Sequence, residues 1–268
     1  MRTSRFPLSL VVLLSALSCA PPPKAATSES PAPAISPRKP LSILNIAGIN
    51  LSHLSKRIEK TDIEKFTRVL AREQVEILAI QGITRYPGIA TRIDLVNELS
   101  RLAEMRSAFG ETINVSGRQN GNGIFSMYPI RSQNNTPYSG LKSAGFESAL
   151  LAVVDAGVKD IAVVSTLLPE KTSPEDLSAC VRSIAAMEKE YSNLPFVVVG
   201  NLPSLSNLQF ERGFREIDSP PANAGAKRSS NVWYGGGDLL QPMNTSIIET
   251  GLGQLVVARF GLFTKQPQ

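Results

Sequence analysis

From residue 41 onward, short apolar runs alternate with segments in which apolar residues recur at helical spacing. Short runs predict strands, and the longer periodic segments predict amphipathic helices. The predicted strands cover 41–47, 75–81, 123–130, 147–157, 158–168, 196–200 and 255–263. The predicted helices cover 61–74, 91–107 and 173–191. Thr61 with Glu64 is predicted to cap the first helix, and Ser173 the last.

The order of these elements predicts mixed sheets covered by helices. The adjacent strands at 147–157 and 158–168 predict a hairpin, whereas other strands are joined across helices. The segment 203–253 shows little regular pattern, so we expect long loops with few strands there. Within it, Trp233 and Tyr234 stand beside glycines and fit either a recognition loop or simple loop packing.

The first 40 residues differ in character from the rest of the chain. Arg2 and Arg5 precede a short apolar run at 8–17, which predicts a secretory signal peptide over 1–18. The tetrapeptide Ala16-Leu17-Ser18-Cys19 resembles the lipobox of bacterial lipoproteins. This resemblance implies cleavage before Cys19 and lipid on its thiol and amino group. The alternative is ordinary signal cleavage near Ala20, which leaves a soluble periplasmic or secreted protein.

Residues 19–40 are rich in proline, alanine and serine and lack apolar periodicity. They predict a disordered or polyproline-like linker, which spans roughly 65 Å when extended. With lipid on Cys19, this linker holds the following domain clear of a membrane surface. We therefore expect a bacterial outer-membrane lipoprotein that faces the periplasm or the cell surface and is joined to the membrane through its lipid.

The charge of the chain is concentrated before the domain. The net charge is +5, of which the first 40 residues carry +4, so residues 41–268 carry +1. A nearly neutral domain lacks the basic footprint of a nucleic-acid binder, so nucleic acid is not an expected partner. The second cysteine, Cys180, falls on the apolar face of the last predicted helix and is predicted to be a small core residue.

Five short motifs follow one another along the domain. They are Leu44-Asn45-Ile46, Ile80-Gln81-Gly82, the segment 121–130, Thr166-Leu167-Leu168 and Gly200-Asn201-Leu202-Pro203. In order and spacing they resemble the motifs of the endonuclease/exonuclease/phosphatase superfamily, which includes DNase I. The resemblance implies an α/β (α+β) fold of the DNase I type over 41–268. Such a fold is a four-layer sandwich of two mixed β-sheets flanked by helices.

The resemblance also implies a phosphoesterase site, and this chain lacks its carboxylates. Members of the superfamily cleave phosphoesters with a divalent metal ion held by carboxylates. Gly82 stands where the resemblance implies a glutamate that binds the metal. Asn201 stands where it implies an aspartate that orients or deprotonates water, and a neutral amide is a poor base.

The histidines of such a site are missing as well. Leu167 and Gly253 occupy the positions where the resemblance implies two histidines that stabilise the phosphate. Leu252 occupies the position of the aspartate that would pair with the second histidine. The single histidine of the chain, His53, matches neither position, and one histidine excludes a two-histidine site.

Four amide side chains remain at predicted strand ends, namely Asn45, Gln81, Asn122 and Asn201. Two interpretations stay open: a vestigial neutral pocket that binds a ligand without hydrolysing it, or amides that cap loops. Glu147 and Asp155 are candidates for substitute metal ligands, but an acid at a strand start or in a hairpin turn is typically solvated.

These observations predict a lipid-anchored envelope protein whose domain is catalytically inactive and acts as a binding or scaffolding module. The prediction includes no catalytic residue, no metal ligand and no cofactor. Its partner is an unidentified protein or small-molecule ligand. The alternative is an active metal-dependent phosphodiesterase or phosphatase with a rearranged site, which needs Mg²⁺ or Mn²⁺.

Overall fold

The computed structural model describes residues 39–52, 54, 57–88, 92–138, 147–168, 173–201, 215–217, 230–235 and 239–264. The predicted signal peptide, Cys19, His53 and nearly all of the predicted linker lie outside the described residues. In the described part of the chain, no helix is long and apolar enough to cross a membrane.

The described residues form three helices and twelve strands. The helices are α1 (Lys60–Arg72), α2 (Leu95–Ala103) and α3 (Pro174–Glu190). The strands are β1 (Ser42–Asn50), β2 (Ile77–Arg85), β3 (Arg106–Val115), β4 (Arg118–Ser126), β5 (Ile130–Pro137), β6 (Ser148–Asp155), β7 (Asp160–Thr166), β8 (Phe196–Gly200), β9 (Arg215–Glu216), β10 (Asn231–Gly235), β11 (Leu240–Thr250) and β12 (Gly253–Leu262).

The strands form two mixed six-stranded sheets. The first sheet has the order β11-β12-β1-β2-β4-β3, and the second has the order β5-β6-β7-β8-β10-β9. Each sheet contains one parallel pair, β1 with β2 and β7 with β8, and its other neighbours are antiparallel. The hairpin predicted from 147–157 and 158–168 is confirmed as β6 and β7.

Three apolar clusters hold the layers together. One lies between the two sheets and contains Leu44, Ile46, Val163 and Val199. A second packs α1 and α2 on the outer face of the first sheet. A third packs α3 on the outer face of the second sheet. The predicted four-layer sandwich of two mixed sheets flanked by helices is therefore confirmed.

The central strands are apolar throughout because both of their faces are buried. In β1, Leu44 and Ile46 face the other sheet, whereas Ala47 and Ile49 face the helices. Gly48 of β1 packs against Val199 of β8 in the other sheet. A Cβ atom at Gly48 would stand 2.3 Å from Cγ1 of Val199, so the absent side chain lets the sheets approach.

Several edge strands differ from the sequence prediction. The second predicted helix is too long: α2 ends at Ala103, Glu104 adopts a left-handed backbone with φ 56°, and β3 begins at Arg106. Neither β3 nor β5 was predicted, and β11 spans eleven residues of a segment predicted to be mainly loop. These strands carry many exposed polar residues, because they lie at sheet edges and bury less surface than the central strands.

The observed helix caps agree only in part with the caps predicted from the sequence. Ser173 caps α3 as predicted, with its hydroxyl accepting the Asp176 amide at 3.1 Å. The predicted Thr61–Glu64 capping box is wrong, because α1 begins earlier and uses Glu59 and Asp62 instead. The backbone N–H of Glu59 donates to the Asp62 carboxylate at 3.1 Å.

The close approach at Gly48 yields a stability prediction. We expect Gly48→Ala to lower the free energy of unfolding by about 1–3 kcal/mol, because the added methyl group overpacks the core against Val199. Gly251→Ala is the matched control, since no atom lies within 4 Å of a Cβ at that position. Urea denaturation of both variants measures the difference. Equal stability of the two variants would contradict this account of the sheet contact.

Candidate functional site

Both parallel strand pairs end at the same end of the sandwich. The parallel register of β1 and β2 ends at the pair Asn50–Gln81, although β2 continues to Arg85, and that of β7 and β8 ends at the pair Thr166–Gly200. Side-chain hydrogen bonds from Gln81 cross from the first sheet to the second at this level. In α/β folds, the carboxyl ends of parallel strands are where ligands bind, so this end is the candidate site.

Gln81 lies between the sheets and is fully buried, at 0% exposure. Its Nε2 donates to Ser165 Oγ at 3.0 Å and to the carbonyl oxygen of Val199 at 3.2 Å. Its Oε1 accepts the Ser230 hydroxyl at 2.8 Å. Ser165 in turn donates to the Ile80 carbonyl at 3.2 Å. Both donors and the acceptor of the amide are therefore used within the protein.

Asn122 is buried beside the same strand end. Its Nδ2 donates to the Ser148 carbonyl at 2.9 Å, and the Ser148 hydroxyl donates to Asn135 Oδ1 at 2.8 Å. The Thr166 hydroxyl donates to the same Ser148 carbonyl at 3.2 Å and shares a 2.6 Å hydrogen bond with the Tyr138 hydroxyl. Burial raises the pKa of Tyr138 above its usual value. This chain of neutral groups joins β4, β6 and β7.

Asn201 follows β8 and pairs with the backbone after β7. Its Oδ1 accepts the Leu168 amide at 2.6 Å, and its Nδ2 donates to the Leu168 carbonyl at 2.6 Å. The side chain thus continues the pairing between the two strands beyond their ends. An aspartate cannot donate to the Leu168 carbonyl, so the asparagine is required for this contact.

Asn45 does not lie with the other three amides, which corrects the prediction. In the register, Asn45 stands five positions before Asn50, about 16 Å along the strand from the Gln81 end. Its Nδ2 donates to the Gln74 carbonyl at 3.0 Å, and its backbone N–H donates to the Glu76 carboxylate at 2.9 Å. It lines a cleft of about 740 Å³ between the carboxyl-terminal parts of α1 and α2.

Asn50 is the β1 amide at the candidate site, and sequence reasoning missed it. It pairs with Gln81 in the parallel register. Its Oδ1 accepts the backbone N–H of Ser52 at 2.9 Å and the Ser52 hydroxyl at 2.6 Å. The apolar run of β1 ends at Asn50 rather than at Ala47, and this signal would have found it.

Gly82 is packed against the loop that follows β1. Its backbone has φ +70°, which favours glycine. A Cβ at this position would lie 2.7 Å from both the Cα and the backbone nitrogen of Ser52. The loop backbone therefore occupies the place where a side chain would begin, and no carboxylate fits here without a shift of that loop.

The remaining predicted positions are accounted for by packing. Leu252 is buried among the residues beneath α1 and α2, and Gly253 starts β12 after a tight turn. The turn is held by Thr250, whose hydroxyl donates to the Gly253 carbonyl at 2.6 Å. Leu167 is half-buried directly after β7.

Of the two candidate substitute ligands, Asp155 lies apart from this site, whereas Glu147 directly precedes Ser148 of the site. Asp155 closes the β6–β7 turn, where its carboxylate binds Arg131 at 2.7 Å and accepts the Gly157 amide at 3.1 Å. The backbone carbonyl of Glu147 accepts the Tyr138 amide at 3.1 Å, just before β6 begins. Burial first, and then the negative charges of Glu147 and Asp176, raise the pKa of Cys180 to about 12. Cys180 is a buried core residue on α3, as predicted.

Trp233 and Tyr234 belong to strand β10 rather than to a loop. Trp233 is buried in the cluster beneath α3. Tyr234 packs against the cluster between the sheets, with its ring 5.8 Å from that of Phe260 in an edge-on arrangement. The sequence left open whether this pair forms a recognition loop or packs within a loop. The structure shows neither, because both residues pack as part of a strand.

Comparison with known proteins identifies the fold. No protein-family model matches the chain, and no curated protein sequence matches it. Among solved structures, an endonuclease/exonuclease/phosphatase from Beutenbergia cavernae matches with a TM-score of 0.64 at 16% identity, covering 82% of this chain and 72% of that one. The chain has the endonuclease/exonuclease/phosphatase fold.

Two further structures support this assignment. The endonuclease/exonuclease/phosphatase from Bacteroides vulgatus matches with a TM-score of 0.65 at 11% identity, over 83% of this chain and 100% of that one. The human Nocturnin catalytic domain, with a bound sulfate anion, matches with a TM-score of 0.62 at 12% identity, over 82% of this chain and 95% of that one. The predicted DNase I-like architecture is thus confirmed, and the similarity at these identities concerns the fold.

The described residues at the candidate site do not fit a divalent metal ion. Mg²⁺ and Mn²⁺ need carboxylate ligands, and the strand-end positions hold Gly82 and Asn201. The first is closed by the Ser52 backbone, and the second is hydrogen-bonded to Leu168. Among the described residues, no three side chains of histidine, cysteine, aspartate or glutamate come together as a metal site would require.

A smaller cleft of about 380 Å³ opens beside Gly82. Its lining comes from four parts of the chain. They are the loop after β1, the second half of β2 with the residue that follows it, the residues around the start of α2, and the beginning of β4. Its charged residues are Arg57, Arg92 and Arg118, none of which was singled out in the sequence. Their positions lie far apart along the chain, and only the fold brings them to one cleft.

The buried amide of Gln81 yields a pH-dependent prediction. Gln81→Glu removes both donors and buries a carboxylate, so we expect the free energy of unfolding to fall by about 3 kcal/mol at about pH 8. The buried carboxyl will have a raised pKa, so the deficit is fully present at high pH. It shrinks as the pH falls through that raised pKa and the group becomes neutral.

Chemical denaturation at about pH 8 and about pH 5 measures this effect. Gln133→Glu is the control, because Gln133 is exposed on β5 and should change stability little at either pH. A loss of stability in Gln81→Glu that is the same at both pH values would contradict the burial of this side chain.

Proposed function

We propose that this chain is a lipid-anchored protein of the bacterial cell envelope whose domain is catalytically inactive and serves as a binding or scaffolding module. In this proposal, the signal peptide over 1–18 is removed, Cys19 carries the lipid, and residues 19–40 tether the domain to the outer membrane. The domain then acts by holding a ligand or a partner protein rather than by turning over a substrate.

One observation carries the proposal of inactivity. At the end of the sandwich where the parallel strands finish, the polar side chains are hydrogen-bonded to the protein itself. Gln81, Asn122 and Asn201 all bond to groups at or beside the end of β7. Catalytic sites instead keep reactive groups with shifted pKa values directed at a substrate. The position of Gly82, filled by the Ser52 backbone, points the same way.

The alternative is an active hydrolase with a rearranged metal site, and among the described residues no carboxylates converge to form one. Asp155 is engaged with Arg131 at the end of β6, whereas Glu147 stands just before the start of β6. Two acids in these separate places do not form one binding site. No feature of the described residues favours the alternative over the inactive module.

The inactivity is tested by assaying the full mature chain. We expect no turnover of bis(p-nitrophenyl) phosphate or p-nitrophenyl phosphate with Mg²⁺ or Mn²⁺. Asn201→Asp restores the acid and should be equally inactive, with lower stability because it loses the donor to Leu168. Turnover that a chelator abolishes, and that co-elutes with the folded wild-type protein, would overturn the proposal.

The lipid anchor is tested separately in cells fed labelled palmitate. We expect Cys19→Ala to lose the label and to leave the membrane fraction, because its thiol and amino group are the proposed attachment points. Cys180→Ala is the matched control and should keep both the label and the membrane association, since that thiol is buried in the core. Membrane-bound, labelled Cys19→Ala would contradict the anchor.

A further inference from the structure

The 380 Å³ cleft beside Gly82 is unusual in its charge. The described residues that line it include three arginines, Arg57, Arg92 and Arg118, and no aspartate or glutamate. The three arginines come from the segment before α1, the segment before α2 and the first position of β4. The fold therefore gathers three positive charges around one concave surface.

These arginines have no acidic partner in the described part of the chain. Other arginines of the domain do pair: Arg101 with Glu98 at 2.6 Å, and Arg131 with Asp155 at 2.7 Å. Asp94, which lies close in sequence to Arg92, is engaged by Arg85 at 3.4 Å and by the Asn97 amide at 3.1 Å. The positive charge of the cleft is thus left for a ligand.

The rest of the lining suits an anion attached to an organic group. Arg92 lies over the ring of Tyr86, 6.0 Å from its centroid, which supports the guanidinium in a fixed place. Thr84 and Asn120 face each other across β2 and β4 and add neutral polar groups. Leu54, Ile58 and Ile93 supply an apolar wall. The volume is that of a small-molecule site.

Gly82 at the margin of this cleft makes anion binding possible. A carboxylate at that position would repel an anion and neutralise the arginines. With glycine there, the guanidinium groups present several N–H donors to the same space, and such groups bind phosphate and similar oxyanions in a bidentate manner.

We propose that this cleft binds, without any metal ion, a small organic molecule that carries a phosphate or a similar multiply charged oxyanion. The proposal rests on the proposed function, because it names the ligand class of an inactive binding module. A small ligand is favoured over a nucleic acid because the cleft is small and residues 41–268 carry a net charge of only +1.

The test uses the full mature chain with a chelator present and inorganic pyrophosphate as the probe. Isothermal titration should show saturable binding at constant ionic strength, and pyrophosphate should raise the unfolding temperature. We expect Arg57→Ala and Arg118→Ala each to weaken binding by about tenfold, since each removes charged hydrogen bonds. Lysine at either position should restore binding only in part, because it keeps the charge and loses the planar fork.

Arg182→Ala is the matched control. Arg182 is exposed on α3, away from the cleft, and its loss removes the same charge. Unchanged binding in this variant supports the cleft. An equal loss of binding in the control, or an equal effect of chloride at the same ionic strength, overturns the proposal as non-specific charge attraction. Tighter binding of a single-stranded oligonucleotide than of pyrophosphate overturns the small-ligand class.

Two further arms separate the sources of the phosphate. Binding to soluble glycerol phosphate supports a free metabolite. Binding only to phosphatidylcholine vesicles that contain phosphatidylglycerol, lost in Arg57→Ala, supports a lipid headgroup. A parallel assay of bis(p-nitrophenyl) phosphate with Mg²⁺ keeps the two proposals apart: hydrolysis with intact chelator-resistant binding overturns inactivity alone, and absence of both binding and hydrolysis overturns the cleft proposal alone.

Discussion

The rest of the structure depends on one fully buried amide, that of Gln81. A polar group between two sheets is tolerated only when its hydrogen bonds are made inside the protein. Gln81 meets this constraint by binding Ser165 and Val199 of the second sheet and Ser230 just before β10. It therefore fixes how the two sheets meet at the end where their parallel strands finish. The apolar cluster between the sheets packs them together, and the hydrogen bonds of this amide fix their relative position.

The same constraint shapes the chemistry of the domain. At the strand ends, the donors of Gln81, Asn122 and Asn201 are bonded within the protein, so these amides are not directed at a ligand. The charged side chains that remain available to a ligand lie just beside this end of the sandwich, where arginines from three separate segments line one cleft. The interior is neutral and internally bonded, and the available charge lies on the neighbouring surface.

Much of this fold could be predicted from the sequence because its central strands and helices are buried on definite faces. β2, β8 and α3 give strong apolar patterns, whereas β3, β5 and β11 lie at sheet edges and give weak ones. At the site, Gln81 was found because it ends an apolar run. Asn45 was chosen instead of Asn50 because a local motif does not reveal where a strand ends or what it pairs with. The arginine cleft could not be found, since its members meet only in three dimensions.

The packing of Gly82 on Ser52 also determines which substitutions this position accepts. An acidic side chain here requires two changes together, because the loop after β1 must move away and the left-handed backbone must relax. A variant that carries only the acid is strained, so a single substitution does not place an unstrained carboxylate after Gln81.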